Sequence, residues 1–293
     1  MFAEYVTRSQ ISLSEAVVNF TMCADSRCLE GFSWDGKQRG IIGTFGNNNA
    51  YITGNNSSAA ILVIHDLFGW TIPNTRLLAD HYAEEVGATV YVPDFFDGAV
   101  LPFGPILSGN WQEVDLEGFL AKNGRDIREP EIFACAKELR EKIIAPPFHL
   151  RRIYIKQLNL YFADAFVGAV GFCYGGWAAF RLGAREHQPP LVNCISVGHP
   201  SLLTKRDIDE IAVPVQVLAP EHDPSYTVEL KEYTCRTVPR LGVPFLFRHF
   251  PHVEHACFCR GDAKKSLERE ALVKGKKAVV YWIREFKCMG SQP

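Results

Sequence analysis

The six residues Ala59–Ile64, "AAILVI", contain no polar position at all. Successive side chains of a strand point to opposite faces, so an unbroken apolar run has to be covered on both sides. The next segment, "NTRLLADHYAEEVG", carries apolar residues at helical spacing, opens on Asn74 as the expected N-cap and stops at Gly87. "ATVYVPDFF" then reads as a second buried strand. Buried strand, helix, buried strand with short links specifies a parallel sheet with helices on both faces, because parallel neighbours need a crossover.

The same alternation returns downstream. "EIFACAKELREKII" reads as helix, "FVGAVGF" as strand, "GGWAAFRLGAREH" as helix, and "VNCISVGH" and "VPVQVLAP" as strands. "SYTVELKEYTCRTVPRLG" is helical, "PFLFRHF" is the last strand, and "DAKKSLEREALVKGKKAVVYWIREFK" is a long closing helix. Before the first buried run, "IIGTF" and "AYIT" form two short strands around the turn "GNNN". We expect one mostly parallel α/β domain over residues 41–293, with residues 1–40 as an arm packed on it. In such a sheet ligands gather beyond the carboxyl ends of the strands, so chemistry is sought there.

Charge narrows the partners. The 31 basic and 33 acidic residues nearly cancel, which gives no field for nucleic acid or an anionic membrane. The first twenty residues lack a basic start followed by an apolar core, and the longest apolar run is far too short to span a bilayer. A cytoplasmic monomer or homodimer acting on a small molecule is expected. Nine irregularly spaced cysteines do not make a disulfide framework, so they read as reduced thiols, Cys23 and Cys28 of the arm included.

One of those cysteines sits at a bend. Gly171, Cys173 and Gly175 form G-x-C-x-G between a strand and a helix, the arrangement of a nucleophile elbow with sulfur as nucleophile. The turn is too sharp for side chains two residues away, and the following helix points its positive end at the sulfur. An elbow requires an acid and then a histidine, each after a later strand. "EHDP" offers Glu221 and Asp223; "PHVEHACFCRGD" offers His252 and His255. The assignment is Cys173 as nucleophile, His255 as general base and acid, and Asp223 as orienting carboxylate, with Glu221 as the alternative acid and His249 and His252 as the competing histidines.

Metal and phosphate readings fail on spacing. The crowded ligands of "HVEHACFC" would compete for incompatible directions on one zinc ion, and "GFCYGGW" lacks the Gly-Lys-Ser/Thr ending of a phosphate loop. No metal and no cofactor is expected.

Taken in order, "HDLFGW", "YVPDFFDG", "GFCYGG", "EHDP" and "HACFCRGD" resemble the dienelactone hydrolase family of the α/β-hydrolase superfamily, closest to its fungal branch. The resemblance spans about Cys23 to Phe286. It implies the same triad, an oxyanion hole made by the backbone amides of Leu67 and Tyr174, a thiol-switch acid at Asp66 where the family has glutamate, and Arg260 as holder of a substrate carboxylate.

The activity so implied is hydrolysis of a carboxylic ester or lactone through a thioester on Cys173. Phe68, Trp70, Phe95, Phe96, Trp111, Tyr174, Tyr226 and Phe258 surround the expected pocket and suit a flat, unsaturated substrate, with Phe68, Trp70, Tyr226, Phe258 and Arg260 as its direct contacts. Residues 97–126 are poorly periodic and are expected to cap the site. Two rivals use the same scaffold: a noncatalytic small-molecule binder, and a dehydratase, acyltransferase or carbon–carbon hydrolase.

Overall fold

The computed structural model describes residues 35–102, 113–144, 165–262 and 264–289. Trp111, Cys23 and Cys28 lie outside them, as does most of the expected arm. Eight strands form one sheet: β1 (Ile41–Phe45), β2 (Asn48–Thr53), β3 (Ala59–Ile64), β4 (Thr89–Pro93), β5 (Phe166–Phe172), β6 (Cys194–Gly198), β7 (Val215–His222) and β8 (Phe245–Glu254). Their order across the sheet is β1-β2-β4-β3-β5-β6-β7-β8. The pairs β1–β2 and β2–β4 at one edge are antiparallel, and β4-β3-β5-β6-β7-β8 is parallel throughout. The pattern of buried strands and helices anticipates this mostly parallel sheet, and the family resemblance its α/β-hydrolase arrangement.

Alternation along each strand divides the core in two. Ala60, Leu62, Ile64, Val167, Ala169, Ile195 and Val197 face one layer, which holds Ile132 and Leu139 of helix α3 (Arg125–Ile144) and Ala178 of helix α4 (Gly175–Leu182). Ile61, Val63, Val170 and Phe172 face the other, which holds Leu78 and Tyr82 of helix α1 (Pro73–Val86) and Val279 and Ile283 of helix α7 (Ser266–Met289). Each fully buried aliphatic side chain contributes ~1.5–3 kcal/mol relative to exposure, so the central strands are the least replaceable part of the fold.

Several local expectations are corrected. Asn74 does not cap α1: the N-cap is Ile72, Pro73 fills the first turn, and the Asn74 amide instead donates to the Cys259 carbonyl. The helix does end at Gly87, in the left-handed region at φ 67°. Helix α4 stops at Leu182, because the Gly183 amide turns back onto the last carbonyls. Helix α3 begins at Arg125, earlier than the periodicity marks, where the Ile127 and Arg128 amides both donate to the Gly124 carbonyl. Helix α7 begins at Ser266, because the Asp262 carboxylate accepts from the Lys264 amide and holds a turn there.

Part of the expected cap segment is helical. Helix α2 (Leu116–Asn123) buries Phe119 and Leu120, and Phe119 meets Phe96 edge-on with ring centroids 5.0 Å apart. Residues 103–112 of that segment lie outside the described ones. Helices α5 (Lys205–Asp209) and α6 (Val228–Thr237) complete the chain on either side of β7.

Candidate active site

Residues 171–176 form the bend between β5 and α4. Cys173 has φ 50°, a conformation that costs a non-glycine residue ~1–3 kcal/mol and persists only where the surroundings enforce it. The enforcement is steric: a Cβ on Gly171 would lie 2.2 Å from the Gly175 carbonyl oxygen, and one on Gly175 would lie 2.2 Å from that of Ile64. It is also bonded in place. The Cys173 amide donates to the Gly198 carbonyl at 3.2 Å, and its own carbonyl accepts from Gly176 at 2.9 Å and Ser201 at 2.8 Å. The sulfur is buried, sits at the N-terminal end of α4, and lies 3.4 Å from Ser201 Oγ.

The carboxyl end of β7 supplies the acid. Asp223 Oδ1 accepts from the Ser225 and Tyr226 amides at 3.0 and 2.9 Å, which locks the carboxylate in one rotamer. The same oxygen lies 2.8 Å from His255 Nδ1, with both side chains sealed from solvent. His255 is in turn positioned by its amide, which donates to the His222 carbonyl at 3.0 Å, and by positive φ at Ala256 just beyond it. Glu221 takes no part in this pairing: its carboxylate accepts from the His252 amide at 2.7 Å and faces the exposed His252 ring. His249 is exposed on β8. The cluster "HVEHACFC" is thus pulled apart by positive φ at His252 and Ala256, and no metal-holding group of three His, Cys, Asp or Glu side chains occurs among the described residues.

Asp66, after β3, is paired with Arg260. Arg260 Nε donates to Asp66 Oδ2 at 2.6 Å, both groups are buried, and the guanidinium lies 4.3 Å from the Phe68 ring centroid. The other carboxylate oxygen of Asp66 accepts from the Phe68 amide at 3.0 Å. Cys259 Sγ lies 3.6 Å from Asp66 Oδ2, and burial followed by the Asp66 charge pushes its thiol well above the usual range. Among the described residues, the amides of Leu67 and Tyr174 donate to no backbone carbonyl outside the helix and strand ladders.

The expected aromatic contacts are dispersed. Phe258 stacks on His199, the neighbour of His255, with ring centroids 5.5 Å apart, and Phe68 packs under Arg260. Trp70 shares an apolar layer with Phe258, opposite to that of Phe68, and lies under Arg76. The Tyr226 hydroxyl donates to Thr234 Oγ1 at 2.8 Å in the interior, so its contribution to the site is the backbone amide that holds Asp223. Phe95 is fully buried, and Phe96 meets Tyr174 edge-on at 5.0 Å.

A family model for the dienelactone hydrolase family matches residues 49–287, from within β2 to within α7. The chain belongs to the dienelactone hydrolase family. Its ester-hydrolase class follows from that membership. Over 263 residues it is 26% identical to the hydrolase pyvD of Aspergillus violaceofuscus, covering 88% of this chain and 95% of the relative. It is 36% identical over 135 residues, 45% of each chain, to a human carboxymethylenebutenolidase homolog. A crystal structure of a putative dienelactone hydrolase from Klebsiella pneumoniae superposes with TM-score 0.59 at 14% identity, covering 87% of this chain and 96% of that one, and so shares the fold.

Two groups in this dienelactone hydrolase family site escape a motif search. His199, at the end of β6, is buried at φ 37°, with its ring 4.7 Å from that of His255 and its Nε2 3.6 Å from Cys259 Sγ. Burial, then the His255 and Arg260 charges, lower its proton affinity well below the ordinary histidine range. Ser201 lies two residues further on. The available signal was topological: "GHPS" follows a central strand, where the sheet delivers its side chains to the site.

Proposed function

We propose that this chain hydrolyses a carboxylic ester or lactone through a thioester on Cys173. The observation that carries the reading is the Asp223–His255 pair, 2.8 Å apart and buried, at the same end of the sheet as a cysteine held at φ 50°. The 198–201 corner links them: it bonds the Cys173 backbone on one side, and His199 packs against His255 on the other.

In the reaction His255 takes the Cys173 proton, and the thiolate attacks the carbonyl carbon. The Leu67 and Tyr174 amides receive the oxyanion. The imidazolium, held by Asp223, protonates the departing alkoxide or enolate, and the neutral ring then draws a proton from the water that cleaves the thioester. Sulfur suits activated esters and enol lactones. Phe258, stacked on the neighbour of His255, and Phe68, under Arg260, favour a flat, unsaturated ring, as found in aromatic or polyketide-derived lactones of a cytoplasmic secondary pathway.

Intact-protein and peptide mass spectrometry after brief exposure to activated esters and enol lactones tests the reading. Acyl mass on the peptide containing Cys173, absent from Cys173→Ala together with turnover, is the expected result. Acyl mass confined to another residue, or undiminished turnover by Cys173→Ala, overturns it.

A further inference from the structure

We propose that the Ser201 hydroxyl is a catalytic hydrogen-bond donor to Cys173 Sγ that favours the thiolate over the thiol. The proposal rests on the reading of Cys173 as nucleophile.

Three observations carry it. Ser201 Oγ lies 3.4 Å from Cys173 Sγ, and the residue is 1% exposed, so its hydroxyl proton has to be satisfied within the protein. Among the described residues, no other polar atom is bonded to that oxygen than the sulfur. If the thiol donated to the hydroxyl, the hydroxyl's own proton would be stranded; if the hydroxyl donates, every proton is placed. A donor to sulfur strengthens when the sulfur becomes an anion, so the contact favours thiolate over thiol.

The backbone shows that Ser201 is put there against cost. His199 and Leu202 flank it at φ 37° and 56°, two left-handed residues that are not glycine. The corner is fastened to the elbow by the Ser201 amide on the Cys173 carbonyl and by the Cys173 amide on the Gly198 carbonyl. From below, Arg125 Nη1 donates to the Leu202 carbonyl at 2.6 Å. Oxygen and sulfur are therefore held at a set separation by the chain on both sides.

The other titratable and charged groups around the sulfur leave this role open. His255, backed by Asp223, follows β8, with Cys259 and Arg260 one turn further along; Asp66 follows β3 and is matched by Arg260. His199 ends β6 and stays neutral, and the Tyr174 hydroxyl is turned away to the Asn123 carbonyl. In the cycle the thiol proton passes to His255 and Ser201 keeps its own. The Ser201 bond weakens as sulfur–carbon forms, and is regained as that bond breaks and thiolate departs.

The test is the pH dependence of Cys173 alkylation by iodoacetamide, followed on the Cys173 peptide by mass spectrometry. Ser201→Ala and Ser201→Gly are expected to raise the midpoint by about one pH unit, so that below it the rate falls about 10-fold, while the plateau at high pH is kept. Ser201→Thr, which keeps the hydroxyl, is expected to restore the wild-type midpoint. Because variants in a buried corner can lose the fold, the wild-type protein is titrated as well, by the thiolate absorbance difference against Cys173→Ala. A wild-type midpoint at or above ~8.5, or a midpoint unchanged or lowered by removing the hydroxyl, overturns the proposal. Undiminished ester turnover by Cys173→Ala would instead overturn the nucleophile reading, and is scored separately.

Discussion

Arg260 and Asp66 are 194 residues apart in the chain, yet Nε and Oδ2 meet at 2.6 Å with neither side chain exposed by more than 2%. A buried charge that loses its partner cannot recover its hydration, and such losses typically cost ~3–5 kcal/mol. Asp66→Ala is expected to destabilise the protein by about that much in denaturant titrations. Arg260→Met alone should also destabilise, and the double variant should lose much less than the two added together. Additive losses would show that the pair is not coupled.

The Asp223 carboxylate fixes the orientation of His255 through Nδ1. Asp223→Asn keeps the shape and the backbone bonds to Ser225 and Tyr226 while removing the charge that favours the imidazolium. Ester turnover is expected to fall by ~10²–10⁴ in kcat, with KM little changed. A loss of only a few-fold would assign Asp223 to structure alone, and Glu221→Gln serves as the comparison expected to leave turnover near wild type.

His199 makes stability depend on pH. Burial and the charges of His255 and Arg260 depress its folded-state pKa well below the ordinary range, whereas in the unfolded chain it titrates near ~6.5. The unfolded state then binds a proton that the folded state refuses, so stability is full above pH ~6.5 and declines as pH falls below it. The slope from one such group approaches ~1.4 kcal/mol per pH unit. His199→Gln should flatten the decline between neutral and mildly acid pH in urea titrations, leaving the part due to His65, which burial also depresses. An identical slope in variant and wild type would refute the assignment.

The elbow separates strain from space. Gly171→Ala drives a Cβ to 2.2 Å from a backbone oxygen that cannot retreat, and loss of soluble folded protein or several kcal/mol is expected. Cys173→Gly instead releases the φ 50° conformation, and should abolish turnover while leaving the melting temperature at or above that of Cys173→Ser. A marked fall in melting temperature below Cys173→Ser would mean that the bend is not strained.

Much of the architecture was legible because covering an apolar strand is a local requirement. "AAILVI" and "FVGAVGF" became β3 and β5 at the expected residues, since no other arrangement hides every side chain. Helix starts were less legible. Asn74 has the right side chain for a cap, but Pro73 is already compatible with the first turn and the Asn74 amide finds the Cys259 carbonyl far along the chain. The choice of Asp223 over Glu221 for contact with His255 was likewise favoured by loop position, but decided by tertiary bonds: the Glu221 carboxylate accepts from the His252 amide, and Asp223 meets His255.

The order of residues alone determined the layered sheet, the bend at Cys173 and the succession of acid and histidine, because periodicity, steric exclusion at glycine and chain order are all read along one dimension. Tertiary structure alone decided that Arg260 would be occupied by Asp66, that the Tyr226 ring would turn inward, that His199 would lie against His255, and that Ser201 would sit beside the sulfur. Those outcomes depend on burial and on distances between strands that the chain brings together only when the sheet closes, and a side chain's charge state or hydrogen-bond partner is set by what surrounds it there.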